Sequence, residues 1–450
     1  MCARPFCGAT GLNNSSLIMA SNPDPVQIVI GYPDHELSER GSLCAFPYRL
    51  FSLEGDLFQA LFDEKSDAVI IAGPSLPDRL PAGLDIVALI SHKLFHDLDS
   101  DHPLHDKSVI VARKDRADLK VLFSPMDIRR SYGKVYLTGA GAGSRDYLTL
   151  RADALLRNAD VIFYDDLIDT GLLDVYHAEK IFVGKRKGRH HTDQKAINSQ
   201  LYQAALHKKV VVRLKGGDPL IFGRGGEEMA YLLDRQIDVE VVAGVSAVQS
   251  AAASAGIPLT LRAVSGGVTL LSAHNALAGA RDHTLVYYMC ASRLKELQCT
   301  LIEDGINPQM PVALVYKAGF VDESVCLTLV DSMHMQEHTS PLLAIIGRTA
   351  LLYRMRPKIL YIGQEPCRCL LPGKIISLAS MKNSVNRYNH RDLSHFSGIA
   401  FTAPEQVDSF YDIFGHVSCH FVLYAYGKET AVKLRKQGYN ATILELDPQN

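Results

Sequence analysis

Tryptophan is absent from the 450 residues, which removes one of the common side chains for stacking bases or sugars. An excess of one charge is also lacking: Lys and Arg total 47, Asp and Glu 49, and the formal net charge is −2. Such a chain has no bulk electrostatic attraction to nucleic acid or to an anionic membrane surface, so neither is expected as a partner. No apolar run reaches the ~20 residues of a membrane span. The opening MCARPFCGATGLNNSSLIMASN lacks the apolar core of a signal peptide; residues 1–24 are expected to be a flexible leader, with Met19 as an alternative start. The nine cysteines (Cys2, Cys7, Cys44, Cys290, Cys299, Cys326, Cys367, Cys369 and Cys419) are odd in number and scattered. That argues against a disulfide framework and for a reducing, cytoplasmic setting. Cys367 and Cys369 are the one close pair, without further residues at ligand spacing, so no metal is expected.

What is present is ordinary for a globular α/β chain: 47% hydrophobic residues and room for two to four domains at ~150 residues each. The most informative stretch is Lys134–Asp166, KVYLTGAGAGSRDYLTLRADALLRNADVIFYDD. Val135–Thr138 reads as a strand, Gly139, Gly141 and Gly143 as a tight turn, Tyr147–Asn158 as a helix, and Val161–Tyr164 as a second strand ending at Asp165 and Asp166. Ligands of open α/β sheets gather at that end of the strands. The dinucleotide fingerprint fails here, because Ser144 holds the place of its third glycine.

Three later strand ends repeat the theme. Ile181–Val183 runs into Gly184, then Lys185, Arg186, Lys187, Arg189, His190 and His191, the densest basic cluster in the chain. It is either a solvated loop or a contact for carboxylates or phosphates. Val210–Leu214 ends in Lys215-Gly216-Gly217-Asp218-Pro219, and Phe222-Gly-Arg224-Gly-Gly-Glu-Glu228 opens a helix over Glu227–Arg235. Val239–Val242 precedes a helix of small residues, Ser246–Ala255, which Ser246 can cap and Gly256 stops. Val268–Ser272, Leu285–Met289, Val312–Tyr316 and Leu342–Gly347 read as further strands.

Together these residues carry a resemblance. GAGAGSRDYLTLRA at Gly139–Ala152, ADVIFYDDLI at Ala159–Ile168, VGKRKGRHH at Val183–His191, RLKGGDPLIFGRGGEE at Arg213–Glu228 and VVAGVSAVQSAAASAGIPLTLR at Val241–Arg262 stand in order. They closely resemble the uroporphyrinogen-III C-methyltransferases of the tetrapyrrole (corrin/porphyrin) methylase family, across Ser131–Leu352. The resemblance implies a two-subdomain α/β core, homodimeric, with S-adenosylmethionine in a cleft between the subdomains and methylation of uroporphyrinogen III at C2 and C7, on the route to sirohaem or cobalamin. By the family's motifs, the methyl donor meets Ala142, Gly216, Gly217, Asp218, Ile221, Ser246, Ala247, Met289 and Gly319. Asp165 and Lys185 are the acid/base candidates, and Arg186, Arg189, His190 and Arg224 are expected to face the carboxylates of the substrate. Alternatives in view are a later methylase of the corrin pathway and a tetrapyrrole-binding scaffold without turnover.

The sequence departs from the family's pattern at Ala142 and Ser144 in the first loop, and at Ala243, Leu261, Cys290 and Phe320. Glu323 stands where the family has a glutamine. Asp165, Lys185 and the Gly-Gly-Asp loop are kept, so a working methylase is expected.

Smaller α/β regions are expected on both sides. Residues 25–130 read as one small α/β region, within which Glu54–His92 resembles part of hydroxymethylbilane synthase through Pro77, Pro81, Gly83 and Leu84, but Pro74 and Ser75 hold the places of its lysine and catalytic aspartate. The resemblance implies an inactive remnant; an unrelated α/β region with a proline-rich loop is the other reading. Residues 353–450 resemble part of uroporphyrinogen-III synthase through Phe401-Thr402-Ala403, Val407 and Phe410, then Gly427, Thr430, Ala431, Leu434 and Gly438. A lobe this short is not expected to enclose a linear tetrapyrrole.

Overall fold

The computed structural model describes residues 28–33, 48–53, 56–73, 76–77, 79–90, 103–184, 193–274, 282–320, 322–335, 339–354, 357–363, 371, 374–378, 393, 396–416 and 421–444. Of the expectations above, Pro74, Ser75, Lys185, Arg186, Arg189, His190, Cys367 and Cys369 lie outside the described residues. Packing divides the chain into two compact units. One is Met1–Gly133 with Ala205–Lys209 and Ala230–Asp238; the other is Lys134–Ala204, Val210–Met229 and Val239–Asn450.

The first unit carries a five-stranded sheet of β1 (Ile28–Pro33), β2 (Tyr48–Leu53), β3 (Ala68–Ala72), β4 (Leu84–Ile90) and β5 (Ser108–Arg113), in the order β2-β1-β3-β5-β4. β1 pairs in parallel with β2 and β3, while β5 runs antiparallel to β3 and β4. β3 is apolar and fully buried, the pattern of a strand covered on both faces.

Three sheets form the second unit. Residues β6 (Lys134–Gly139), β7 (Val161–Tyr164), β8 (Glu179–Phe182), β9 (Val210–Lys215) and β10 (Asp238–Val242) make the first, ordered β10-β6-β9-β7-β8. β6, β9, β7 and β8 pair in parallel, so their carboxyl ends share one edge. The second sheet holds β11 (Gly267–Ser272), β12 (His283–Tyr288), β13 (Pro311–Tyr316), β14 (Ser324–Leu329) and β15 (Leu342–Ile346), ordered β11-β12-β15-β13-β14 and mixed in direction. The third holds β16 (Lys358–Ile362), β17 (Lys374–Leu378), β18 (Gly398–Phe401), β19 (Val422–Tyr426) and β20 (Ala441–Leu444). It is parallel throughout, in the order β17-β16-β18-β19-β20. β14 and the helix Leu294–Glu303 were not anticipated from the sequence.

Most expected elements fall within a few residues of their places, and the shifts have local causes. The helix after the first glycine turn begins at Leu150, not Tyr147. Arg145–Tyr147 forms its own short turn, with the Ser144 hydroxyl accepting the Asp146 N–H at 3.2 Å. Leu148 and Thr149 are then extended, and the Thr149 hydroxyl accepts the Ala152 N–H to start the helix proper. Its buried Ala152, Leu155 and Leu156 pack with Ile162, Val212 and Leu214 of β7 and β9. Each buried Leu or Ile of that cluster contributes roughly 1.5–3 kcal/mol. The helix expected at Glu227–Arg235 runs instead over Gly225–Leu233 and stops before Gln236, whose φ of 60 leaves the helical region. Ser246 is the extended N-cap residue of the helix Ala247–Ala255, and Gly256, left-handed at φ 65, ends it, as expected.

Candidate active site

The glycines at the ends of β6, β9 and β10 lie against one another. A Cβ on Gly139 would stand 2.5 Å from both the Gly217 carbonyl oxygen and the Gly244 Cα, and one on Gly244 only 2.2 Å from that oxygen. Gly141 and Gly217 exchange backbone hydrogen bonds of 2.8 and 3.3 Å. Asp218 braces this crossing: Oδ2 accepts the Gly244 N–H at 3.1 Å and Oδ1 the Leu220 N–H at 2.9 Å. Its carboxylate therefore shapes the loops. Gly217 is left-handed at φ 71, facing Ser246 and the Ala247 nitrogen at the start of the small-residue helix.

The second sheet supplies the opposite contacts. Gly319, in the turn after β13, is left-handed at φ 81, and a Cβ there would stand 2.0 Å from the Ala142 carbonyl oxygen. A Cβ on Gly143, at φ 80, would stand 2.6 Å from the Gly319 carbonyl carbon and 2.7 Å from the Phe320 ring. The Ser246 hydroxyl lies 2.8 Å from the Tyr288 hydroxyl at the end of β12, and Tyr288 also accepts the Val248 N–H. Burial raises the Tyr288 pKa above its ordinary value, so it stays a neutral phenol. Met289 follows at φ 57 with its side chain exposed, and the Phe222 ring (φ 53) lies 4.7 Å from that of Tyr288. Non-glycine residues in the left-handed region cost of order 1–3 kcal/mol and collect where ligands bind. Here Phe222, Arg224, Met289 and Lys317 all adopt it, each in a loop that follows a strand of these two sheets. Ile221, half-buried, packs at the edge of the core behind the small-residue helix.

Asp165, at the end of β7, is partly exposed. Its Oδ1 accepts the Leu167 N–H at 3.2 Å, and its Oδ2 lies 3.4 Å from Arg213 Nη2. Leu167 in turn covers Gly216: a Cβ on Gly216 would meet the Leu167 Cβ at 2.9 Å. The candidate base and the Gly-Gly-Asp loop are thus one side chain apart. Gly184 lies against the Asp166 backbone nitrogen.

Sequence reasoning missed what stands behind Asp165. Arg213 and Lys215, alternate residues of β9, are buried to within 5% of full burial and meet the wholly buried Glu228. Arg213 Nε is 3.2 Å from Glu228 Oε1, Lys215 Nζ is 2.9 and 3.1 Å from its two oxygens, and Gln194 Nε2 adds a bond of 3.2 Å. Burial, reinforced by the Arg213 charge, pulls the Lys215 pKa below its ordinary 10.5, with Glu228 acting against the shift. The available signal was a pair of cations two apart in an otherwise apolar strand, which cannot both be buried without a carboxylate. Arg224, expected to face substrate, is exposed and held by Glu227 through two bonds, Nε–Oε1 at 2.9 Å and Nη2–Oε2 at 2.7 Å.

The structure thus gathers Ala142, Gly216, Gly217, Asp218, Ser246, Ala247 and Gly319 around one set of loops, with Met289 at the end of β12. Among the described residues no group of three or more His, Cys, Asp or Glu is placed to hold a metal, and no helix is long and apolar enough to cross a membrane.

The family model for Tetrapyrrole (Corrin/Porphyrin) Methylases matches residues 134–333. Siroheme synthase 1 of Halorhodospira halophila is 41% identical over 236 residues, 49% of this chain and 49% of that protein. Siroheme synthase 2 of Cronobacter sakazakii is 40% identical over 244 residues, 52% and 53% of the two chains. The chain therefore spans about half the length of the curated relatives it matches. A solved uroporphyrin-III-C-methyltransferase from Thermus thermophilus is 37% identical, with 49% of this chain and 95% of that one covered, at a TM-score of 0.44.

Proposed function

We propose that this chain, whose residues 134–333 match the family of Tetrapyrrole (Corrin/Porphyrin) Methylases, methylates uroporphyrinogen III at C2 and then C7, giving precorrin-2 for sirohaem or cobalamin formation. S-adenosylmethionine is the proposed donor, and when bound it supplies a methyl group already activated on a sulfonium sulfur.

The loops fit such a donor. Glycines at 139, 141, 143, 217, 244 and 319 let these loops approach one another closely, and the bonds between Gly141 and Gly217, from Gly244 to Asp218 and from Gly319 to Glu323 fix the walls of the proposed donor site. Ala142, Gly216, Gly217, Asp218, Ile221, Ser246, Ala247, Met289 and Gly319 are proposed to hold it. Their role is alignment, since fixing donor and nucleophilic carbon in line is worth ~7–11 kcal/mol at best.

Asp165 is the observation that carries the reading. It is a partly exposed carboxylate, clamped by Arg213 and one residue's width from the Gly216 loop. As the ring carbon is alkylated the macrocycle must shed a proton. Asp165 is proposed to take it, a contribution of roughly 10²–10⁴-fold. Lys185, next in the chain after Gly184, is proposed as its acid partner, with Arg186, Arg189, His190 and Arg224 receiving substrate carboxylates.

The flanking lobes are proposed to be inactive relatives of hydroxymethylbilane synthase and uroporphyrinogen-III synthase, on the strength of Pro74 and Ser75 in the first and the shortness of the second. One assay tests the whole reading: uroporphyrinogen III with S-adenosylmethionine, followed by mass and absorbance. Two added methyl groups and the precorrin-2 spectrum are expected. Donor binding without that product would favour a later corrin methylase, and no donor binding would leave only a scaffold.

A further inference from the structure

Glu323 follows the turn after β13 and is 1% exposed. Its Oε2 accepts the Gly319 N–H at 2.8 Å and the hydroxyl of Ser254, which lies in the helix Ala247–Ala255. One carboxylate oxygen therefore joins two of the walls described above. The turn it holds has no slack: Gly319 sits against the Ala142 carbonyl and the Tyr147 ring, and Gly143 against Gly319. Around it, Lys317 pairs with Asp322 at 2.6 Å, and the Lys358 ammonium donates to the Glu323 carbonyl. Tyr147 and Tyr353 are the phenols that feel the charge; burial first, then Glu323, pushes both above their ordinary pKa, with the Ser250 hydroxyl opposing the shift at Tyr147.

We propose that Glu323 is a positioning residue for the methyl donor: by tying the Gly319 turn to the small-residue helix, it fixes the spacing between Gly319 and Ala142 and so sets donor affinity without touching the ring substrate. The proposal rests on the methyltransferase reading. A buried carboxylate is costly unless donors meet it, and here the donors are the loop itself and the helix behind it. The acceptor geometry, not the charge, is what the turn requires. A glutamine whose amide oxygen takes the place of Oε2 can accept from both the Gly319 N–H and the Ser254 hydroxyl, since a carbonyl oxygen has two lone pairs.

The test is calorimetric titration of S-adenosylhomocysteine into the full-length protein, with KM measured separately for uroporphyrinogen III. Glu323→Ala leaves the Gly319 N–H unpaired and is expected to weaken donor-product binding about tenfold or more, with KM for the ring substrate within about twofold. Glu323→Gln is expected to stay within about threefold of the parent for both. Ser254→Ala, which keeps the Gly319 bond, covers the case in which Glu323→Ala does not fold; it should weaken donor-product binding about threefold with the same selectivity. Unchanged binding in Glu323→Ala, or in Ser254→Ala if that variant must stand in, overturns the proposal. So does an equal loss of donor and ring affinity, or a glutamine variant as weak as the alanine one. Failure of the parent protein itself to bind S-adenosylhomocysteine would instead bring down the methyltransferase reading, and this role with it.

Discussion

Arg213 stands between two carboxylates in different surroundings: Nη2 is 3.4 Å from Asp165 Oδ2, and Nε is 3.2 Å from Glu228 Oε1. Asp165 is 24% exposed at the strand edge and Glu228 is 0% exposed. The guanidinium, itself anchored by the Phe163 and Leu214 carbonyls, links a side chain that can meet substrate to one that cannot. A rigid fork suits this task, because its donors lie in one plane and hold both partners at fixed angles. The proposed base is therefore oriented by the interior of β9 as well as by its own turn.

Asp165→Ala should separate chemistry from donor binding. The side chain meets the Gly216 loop by way of Leu167. Methylation is expected to fall roughly 10²–10⁴-fold, with S-adenosylhomocysteine affinity within about threefold of the parent. Single-turnover methylation and calorimetry measure the two. Unchanged turnover would remove Asp165 from its role as base.

Glu228→Gln should be the most destabilising small change in the first sheet of the second unit. It leaves Arg213 and Lys215, both within 5% of full burial, facing a neutral amide. Removing one partner of such a buried group costs about 3–5 kcal/mol, to be read from the denaturant midpoint. Adding Lys215→Met should recover part of the loss by deleting one of the stranded cations. Simple additivity of the two changes would show that the groups are not coupled.

This network marks the limit of what the sequence made legible. The strand ends were readable because apolar runs such as VIFY and VVVRL stop abruptly at Asp165 and at Gly216-Gly217, and the structure joins those ends. The resemblance supplied Ala142, Met289 and Gly319, which no spacing rule would connect. Glu228 lies 15 residues from Arg213 and 13 from Lys215, on a helix whose local pattern reads only as a favourable acidic first turn. Ion pairing across a fold leaves no periodicity. β14 was missed because its half-exposed SVCLTL alternates weakly at a sheet edge. The start of the helix at Leu150 was missed because a short capped turn precedes it.

The Lys215 pKa gives stability a pH dependence of definite sign. The folded-state value is lowered below 10.5, so between the two values the unfolded chain binds more protons than the folded one. Stability contributed by this group then rises with pH through that window and is at its lowest below the folded value. Lys215→Met removes the effect. The difference in unfolding free energy between parent and variant should therefore shift in favour of the parent as pH climbs toward 10.5. Other lysines and tyrosines titrate alike in both proteins and cancel. A difference independent of pH would mean that Glu228 compensates the burial of Lys215 in full.

Two glycine substitutions should behave oppositely. At Gly319 a methyl group meets the Ala142 carbonyl oxygen at 2.0 Å and the Ser250 hydroxyl at 2.9 Å, and the φ of 81 is itself unfavourable for alanine. The Ala142 contact is with backbone and cannot be relieved by a side-chain rotation, so the turn must move away from the first glycine loop. Gly319→Ala is expected to cost more than about 1–3 kcal/mol of folding stability and to abolish donor binding at accessible concentrations. Gly226 lies in the first turn of the helix Gly225–Leu233, where an added Cβ meets nothing within 4 Å. Gly226→Ala is expected to stabilise by about 0.4–1 kcal/mol through the unfolded chain, with donor affinity unchanged. Thermal unfolding with and without S-adenosylhomocysteine measures both. A Gly319→Ala protein that still gains stability from the ligand would show that the close approach of Gly319 to Ala142 is not part of the donor site.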